Sequence, residues 1–340
     1  MSDRKLATIR RIDEIRPIPD ADAIEAAVVG GWVVVVKRDE FKVGDLVVYL
    51  EIDSWVPTEL APFLTKGKEP REFNGVRGER LRTVKLRGTT SQGLLLPLSI
   101  LPDHPAPQFE GDDVTKVLGI QKWEAPVPAQ LAGVVRGTFP GFIPKTDQER
   151  IQNLKAELIE WQDPKFSWEV TEKLDGSSMT VYVRDEDAGV CSRNMELKLE
   201  DNNSFCAVTR RDQIIERMRE HGLNNIAIQG ELIGEGIQGN KYNIKGQEFW
   251  VYDVYSIAEA RYFTPVERRA VVERLGLRHV PVVATSAVLT QQSMDTILAS
   301  AEGKSVLNPK SEREGIVFKC NEFDVSFKAI SNRWLLKTGE

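Results

Sequence analysis

Residues 1 to about 120 consist almost entirely of short β-branched runs, each cut off by Gly, Asp or Pro. That punctuation limits the fold more than any other feature of the chain. "AAVVGGWVVVVKR", "DLVVYLEIDSWVP", "RLRTVKLRG" and "QGLLLPLSIL" are the runs concerned. Branched and aromatic side chains suit a pleated, half-buried surface. Strands this short, with turn signals between them, predict a small barrel or sandwich. The end of this region is also locally basic. From Lys66 to Arg87 there are eight Lys/Arg (Lys66, Lys68, Arg71, Arg77, Arg80, Arg82, Lys85, Arg87) against three Glu (Glu69, Glu72, Glu79). Such a stripe can hold phosphates, although it reads equally as a solvated loop and strand face.

Residues 105–145 are rich in Pro and Gly ("HPAPQFEGDD", "APVPAQLAG", "FPGFIP"), which places a boundary near residue 120 and two domains at 1–120 and 121–340. The hydrophobic period then changes. In "KTDQERIQNLKAELIEW", Ile151, Leu154, Leu158 and Trp161 share one helical face, and Thr146 with Glu149 reads as a capping box. Strands are expected at 168–173, 178–183, 226–233, 248–255, 315–320 and 324–328, with helices at 209–221, 265–275 and in "SMDTILASAEG". Helices and strands mix without a βαβ rhythm, so the fold class is α+β with antiparallel sheets and flanking helices.

The composition narrows the function. Of 340 residues, 41% are apolar and 28% charged, an ordinary soluble balance, and the apolar runs are too short or broken to span a bilayer. The first residues lack the apolar stretch of a signal peptide, so a cytoplasmic protein without a membrane is expected. Three widely spaced cysteines (Cys191, Cys206, Cys320) argue against a disulfide framework. The histidines (His104, His221, His279) stand far apart with no zinc spacing and offer no catalytic triad. A net charge of −6 announces no nucleic-acid binder by itself, and nothing demands more than a monomer.

The stretch "WEVTEKLDGSSMTVYV" carries the chemical question. Two strand-like runs around Asp175-Gly176 read as a hairpin, with Lys173 a polar residue at a strand end. Lys173 also reads as a nucleophile. Downstream come Arg193 in "VCSRN", Glu231 in "IQGELIGEGIQGN", Tyr252 and Asp253 in "FWVYDVY", Glu314 and Lys319 in "REGIVFK", and Lys328 in "VSFKAIS".

In this order and spacing the set resembles the covalent nucleotidyltransferases, ATP-dependent polynucleotide ligases and capping enzymes, and most of all the Deinococcus-type nick-sealing RNA ligase family. The N-terminal "IRPIPDADAIEAAVV" and "LRTVKLRGTTSQGLLLPL" are similar to the tRNA-binding OB-fold domain of some tRNA synthetases. These resemblances imply an OB-like nucleic-acid-binding barrel followed by a nucleotidyltransferase (ATP-grasp-like ligase) domain. They imply ATP and Mg2+ or Mn2+ as cofactors, and RNA or an RNA-containing duplex as partner. Lys173 would form a lysyl–AMP. Asp175 and Arg193 would contact ribose or the substrate end, and Glu231 the ribose hydroxyls. Gly176 would let the chain turn close to the nucleotide. Tyr252 would stack on adenine, a task that needs only an aromatic face. Glu314 and Asp253 would hold the metal as hard oxygen ligands. Lys328 and Lys319 would contact the α-phosphate, and Lys145 the outgoing pyrophosphate.

A lysine attacks phosphorus only when unprotonated, so its free pKa of about 10.4 has to fall. Lys328, Lys319 and a divalent ion are the expected causes. Two departures from the family pattern stand out. Ser326 occupies the place of the first lysine in the usual lysine–x–lysine pair, and the sequence ends twelve residues after Lys328, where DNA ligases and capping enzymes usually continue into another OB domain. Rival readings are a DNA ligase, a capping-type guanylyltransferase, or an inactive nucleic-acid-binding module.

Overall fold

The computed structural model describes residues 4–102, 109–124 and 133–339; His104 and much of the Pro/Gly-rich stretch lie outside them. The chain forms two compact units. The first comprises Met1–Pro126 with two returning segments, Ile151–Lys155 and Asn332–Glu340; the second comprises Val127–Arg150 and Ala156–Ser331.

The first unit is all-β apart from short helical turns and the terminal helix Asn332–Thr338. Strand Leu46–Leu50 lies between Ala7–Arg11 and Leu94–Pro97, antiparallel to both. "AAVVGGWVVVVK" forms the hairpin Ile24–Val29/Trp32–Lys37, turned at a Gly30 with φ +60°. Val48, Leu50, Val56, Leu81, Leu96 and Ile120 close its core. Burying such side chains gives each about 1.5–3 kcal/mol relative to exposure. A small hairpin, Val84–Leu86/Thr89–Ser91, forms a two-stranded sheet of its own among the described residues. Arg87 and Gly88 make its turn with positive φ (45° and 84°), the conformation that a two-residue hairpin loop requires.

The second unit contains two sheets. Eight strands form the larger, including Ser177–Arg184, Ile226–Gly234 and Gln247–Ser256 side by side. Its apolar face packs beneath the helices Ser204–Arg211, Ile214–Glu220 and Pro265–Arg274, through Val181, Ile228, Val251, Val254, Met218 and Val272. The smaller sheet has five strands, among them Trp168–Lys173, Gly315–Cys320 and Ser326–Ile330. Its other face carries an aromatic stack: Phe327 lies 5.3 Å from Trp161 and 4.6 Å from Phe318 by ring centroids, both near parallel. Trp161 belongs to helix Lys155–Trp161, which thereby covers that face.

Three expectations change here. Residues 168–173 and 177–184 do not form a hairpin. Trp168–Lys173 pairs with Gly315–Cys320 and Val282–Ala287, whereas Ser177–Arg184 pairs with Asp187–Cys191 and Ile226–Gly234. "LDG" is therefore the crossing between the two sheets. Thr146 caps no helix either: Glu149–Arg150 adds to the smaller sheet, parallel to Phe327–Lys328, and the helix begins at Lys155. The single helix expected at 209–221 is two, Ser204–Arg211 and Ile214–Glu220. Cys191, Cys206 and Cys320 are buried and free. No described helix is long and apolar enough to cross a membrane.

Candidate active site

Crossing from one sheet to the other is what creates the site. Lys173 ends its strand opposite Gly315, which brings the neighbouring Glu314 alongside. Lys173 Nζ donates to Glu314 Oε1 at 2.7 Å. On the far side of the crossing, Ser178 pairs with Glu231 in the larger sheet. Gly176 fits here because it has no side chain: a Cβ would lie 2.4 Å from the Leu232 carbonyl oxygen and 2.6 Å from Ile233. Contact with the neighbouring strand explains this glycine directly.

Three carboxylates act on Lys173. Burial pushes its pKa down, but Glu314, Glu231 and Asp175 outweigh that and raise it. Glu231 is itself pushed up to about 8, first by burial, then by Glu314 and Asp175 against the pull of Lys173. The lysine here is therefore held as a cation, and the cations expected to lower its pKa are engaged elsewhere. Lys319 is ion-paired with Asp253 and also donates to the Tyr252 carbonyl at 3.1 Å. Lys328 Nζ lies 3.6 Å from Asp147.

Tyr252 owes its position to a β-bulge. Gln229 pairs with Asp253 and Gly230 with Val251, so Tyr252 is the extra residue. The bulge shifts the alternation: Val251 and Val254 both enter the apolar core under the helices, whereas Tyr252 joins a separate cluster with Leu174, Tyr242 and Trp250. Its hydroxyl meets Thr146 at 2.8 Å and Ser178 at 3.3 Å. Burial raises its pKa, so it stays a neutral phenol.

The segment before the smaller sheet lines the same region. Lys145 donates to Asn194 at 2.8 Å, and Arg193 donates to Asp147 at 3.0 Å. The structure thus brings Lys173, Asp175, Glu231 and Glu314 together, and ties Arg193 and Lys328 to one carboxylate, Asp147. It places Asp253 and Lys319 deeper, against each other. Asp253 is 3% exposed and its pKa is raised by burial, although Lys319 pulls it back.

Sequence reasoning missed Lys241 and Tyr242. Lys241 is ion-paired with Asp175, and the Tyr242 hydroxyl accepts the Asp175 backbone N–H at 2.6 Å. Asn308 and Ser311 bond the Lys241 carbonyl and fix that loop. The signal was a glycine- and asparagine-rich loop, "EGIQGNKYNIKG", directly after the Glu231 strand.

The donor chemistry suits a hard divalent cation. Glu231 and Glu314 are oxygen donors, and Mg2+ or Mn2+ is commonly held by one or two carboxylates together with phosphate oxygens and water. No group of three His, Cys, Asp or Glu side chains forms a ready cage among the described residues.

A half-buried lysine beside carboxylates, at the crossing between two largely antiparallel sheets, is the arrangement expected of a covalent nucleotidyltransferase. An RNA ligase family model matches residues 166–330, and an OB-fold domain model matches residues 6–98. Together with the structural relatives below, these show that the chain belongs to the RNA ligase family. A mutant of Naegleria gruberi RNA ligase with AMP and Mn is 47% identical; the match covers 98% of this chain and 99% of that one, with a TM-score of 0.91. The same enzyme with PPi has a TM-score of 0.90, and another of its mutants, with ATP and Mn, one of 0.91, each at 47% identity over 98% of this chain and 99% of that chain. No curated protein matches.

Proposed function

We propose that this protein is an ATP-dependent RNA ligase that seals 3′-OH/5′-phosphate breaks, specifically nicks in duplexes with RNA on the 3′-OH side, and that its role is RNA repair. The observation that carries this reading is Lys173, fixed at a strand end against Glu314 at 2.7 Å, with Glu231 on the facing sheet. The ATP-, AMP- and PPi-bound states of the Naegleria enzyme support the same chemistry.

Lys173 Nζ attacks the α-phosphorus of ATP, forming the phosphoramidate and releasing pyrophosphate. The 5′-phosphate of the break then takes the AMP, which frees the lysine. Attack by the 3′-OH forms the phosphodiester and expels AMP. Glu314 keeps the resting lysine charged, and losing that contact frees the amine to shed its proton. Glu231 and Glu314 would hold Mg2+ or Mn2+, which supplies charge neutralisation at the phosphate oxygens when bound. Lys328 and Arg193 share Asp147 and would turn to phosphate and to ribose or the substrate end. Tyr252 would stack on adenine, Asp175 would order the turn, and Lys145 would meet the pyrophosphate.

For the RNA we assign the barrel's small hairpin. Within the basic stripe, Arg71 pairs with Glu79, Arg77 with Glu69 and Arg80 with Asp53. Arg82, just before the hairpin, and Lys85 and Arg87 on it are exposed and have no ion-pair partner among the described residues. Val84 and Leu86 beside them are also exposed, at 43% and 42%. The hairpin's base is fixed in the barrel: Ser91 accepts from the Val35 N–H, and Gln92 N–H donates to the Val33 carbonyl. We take the enzyme to be a cytoplasmic monomer; elution well above its 38.3 kDa mass would contradict the monomer.

Sealing assays test the substrate. A nick ending in a 3′-ribose should be sealed far faster than the same nick ending in a 3′-deoxyribose. Equal rates would make the protein a DNA ligase, and charging by GTP in preference to ATP would make it a capping-type enzyme.

A further inference from the structure

A second set of charges lies deeper in the catalytic unit, and the transfer chemistry uses none of them. Glu169 sits four residues before Lys173 on the same strand and, like Arg268, is fully buried. Arg268 and Arg269, from helix Pro265–Arg274, each ion-pair with Glu169. Arg268 Nε donates to His279 Nε2 at 3.0 Å, and its guanidinium lies 3.9 Å from Asp253. His279 Nδ1 is 2.6 Å from the Val280 carbonyl, so Nδ1 carries the proton and Nε2 accepts. The chain of contacts ends at Lys319, which pairs with Asp253 and donates to the Tyr252 carbonyl.

That last contact falls on the bulge. A bulge interrupts the ladder and leaves its extra residue unpaired. Here the extra residue is Tyr252, and the Lys319 ammonium, reaching from the other sheet, takes its carbonyl. We propose that Lys319 is a positioning residue for the base-stacking tyrosine: anchored by Asp253 and, through it, by Arg268 and Glu169, it fixes the Tyr252 bulge and with it the plane of the ring. The expectation of a direct phosphate contact for Lys319 is replaced by this one. The inference rests on Tyr252 stacking on the base, and the test separates the two ideas.

Adenosine has the base and ribose but no phosphate. Its affinity, measured by NMR titration, and the KM for ATP in Lys173 adenylylation should be compared in three variants. In Lys319→Met with Asp253→Asn, which removes both buried charges and so avoids stranding one, adenosine Kd and ATP KM should rise by the same factor, about 10-fold, with little change in melting temperature. Lys319→Arg, which keeps a donor and the ion pair, should recover most of that loss. Tyr252→Ala should weaken adenosine at least as much as the double variant. If the double variant weakens ATP while adenosine binds as in the parent, Lys319 is a phosphate contact and the proposal is wrong. If Tyr252→Ala leaves adenosine binding intact, the stacking role of Tyr252 fails, and positioning fails with it.

Discussion

The barrel and the catalytic unit place their charges in opposite settings. In the barrel, Arg77 and Glu69 pair with side chains 62% and 89% exposed, and the hairpin cations stand in solvent. In the catalytic unit, Glu169 and Arg268 are wholly buried, and Asp253, Lys319 and Glu231 are shielded or partly shielded. Exposed pairs are screened by salt and contribute little. Buried ones lose their hydration, so each needs a partner, and removing one partner leaves a costly charge behind. The contrast teaches that a charge is informative here in proportion to its burial. It also predicts which substitutions act through the fold, which through the chemistry and which through salt-sensitive binding.

The largest effect should come from Glu169→Ala, which strands Arg268 inside the protein. Urea unfolding should show a loss of about 3–5 kcal/mol, hardly altered by added salt. A loss no larger than that from Arg77→Ala would break the comparison. Glu314→Ala should leave stability nearly intact but slow Lys173 adenylylation by about 10^2–10^3-fold by weakening the hold on the divalent ion, the scale of one lost electrostatic aid to a transition state; single-turnover rates with Mg2+ would show it. Tyr252→Ala should raise the KM for ATP by roughly 10- to 100-fold, since stacking contributes about 1–3 kcal/mol per base. The smallest effect per residue belongs to the barrel. Arg82→Ala, Lys85→Ala and Arg87→Ala should each lower the slope of log affinity for RNA against log salt by about one, without touching adenylylation. An unchanged slope would remove the hairpin from the RNA surface.

Much of this was legible in the sequence. The order Lys173, Glu231, Tyr252, Glu314, Lys328 identified the nucleotidyltransferase, and strand 315–320 lies where its β-branched run placed it. What failed were local signatures that long-range pairing overrides. Asp-Gly between strand-like runs is a hairpin signal, yet the true partners of Lys173 and Ser178 are Gly315 and Glu231. Thr-x-x-Glu predicted a cap at Thr146, where a parallel strand formed instead. The same pattern at Thr264 and Glu267 is a real capping box at the start of Pro265–Arg274. Four residues do not distinguish the two cases; whether the next residues pair with another strand does. The contacts of Lys319, an ion pair with Asp253 and a bond to the Tyr252 carbonyl, were likewise not legible in its motif. Nor does any local signal foretell that Ile151–Lys155 and Asn332–Glu340 group with the first unit.

The central claim is that Lys173 is the residue that takes AMP from ATP. The direct measurement is to incubate the protein with radiolabelled ATP and Mg2+, quench, and map the labelled peptide by mass spectrometry. The account predicts one acid-labile AMP on Lys173, release of pyrophosphate, and no label in Lys173→Ala, whose melting curve should match the parent's. Label on another residue, undiminished label in Lys173→Ala, or no adduct from folded protein would contradict it.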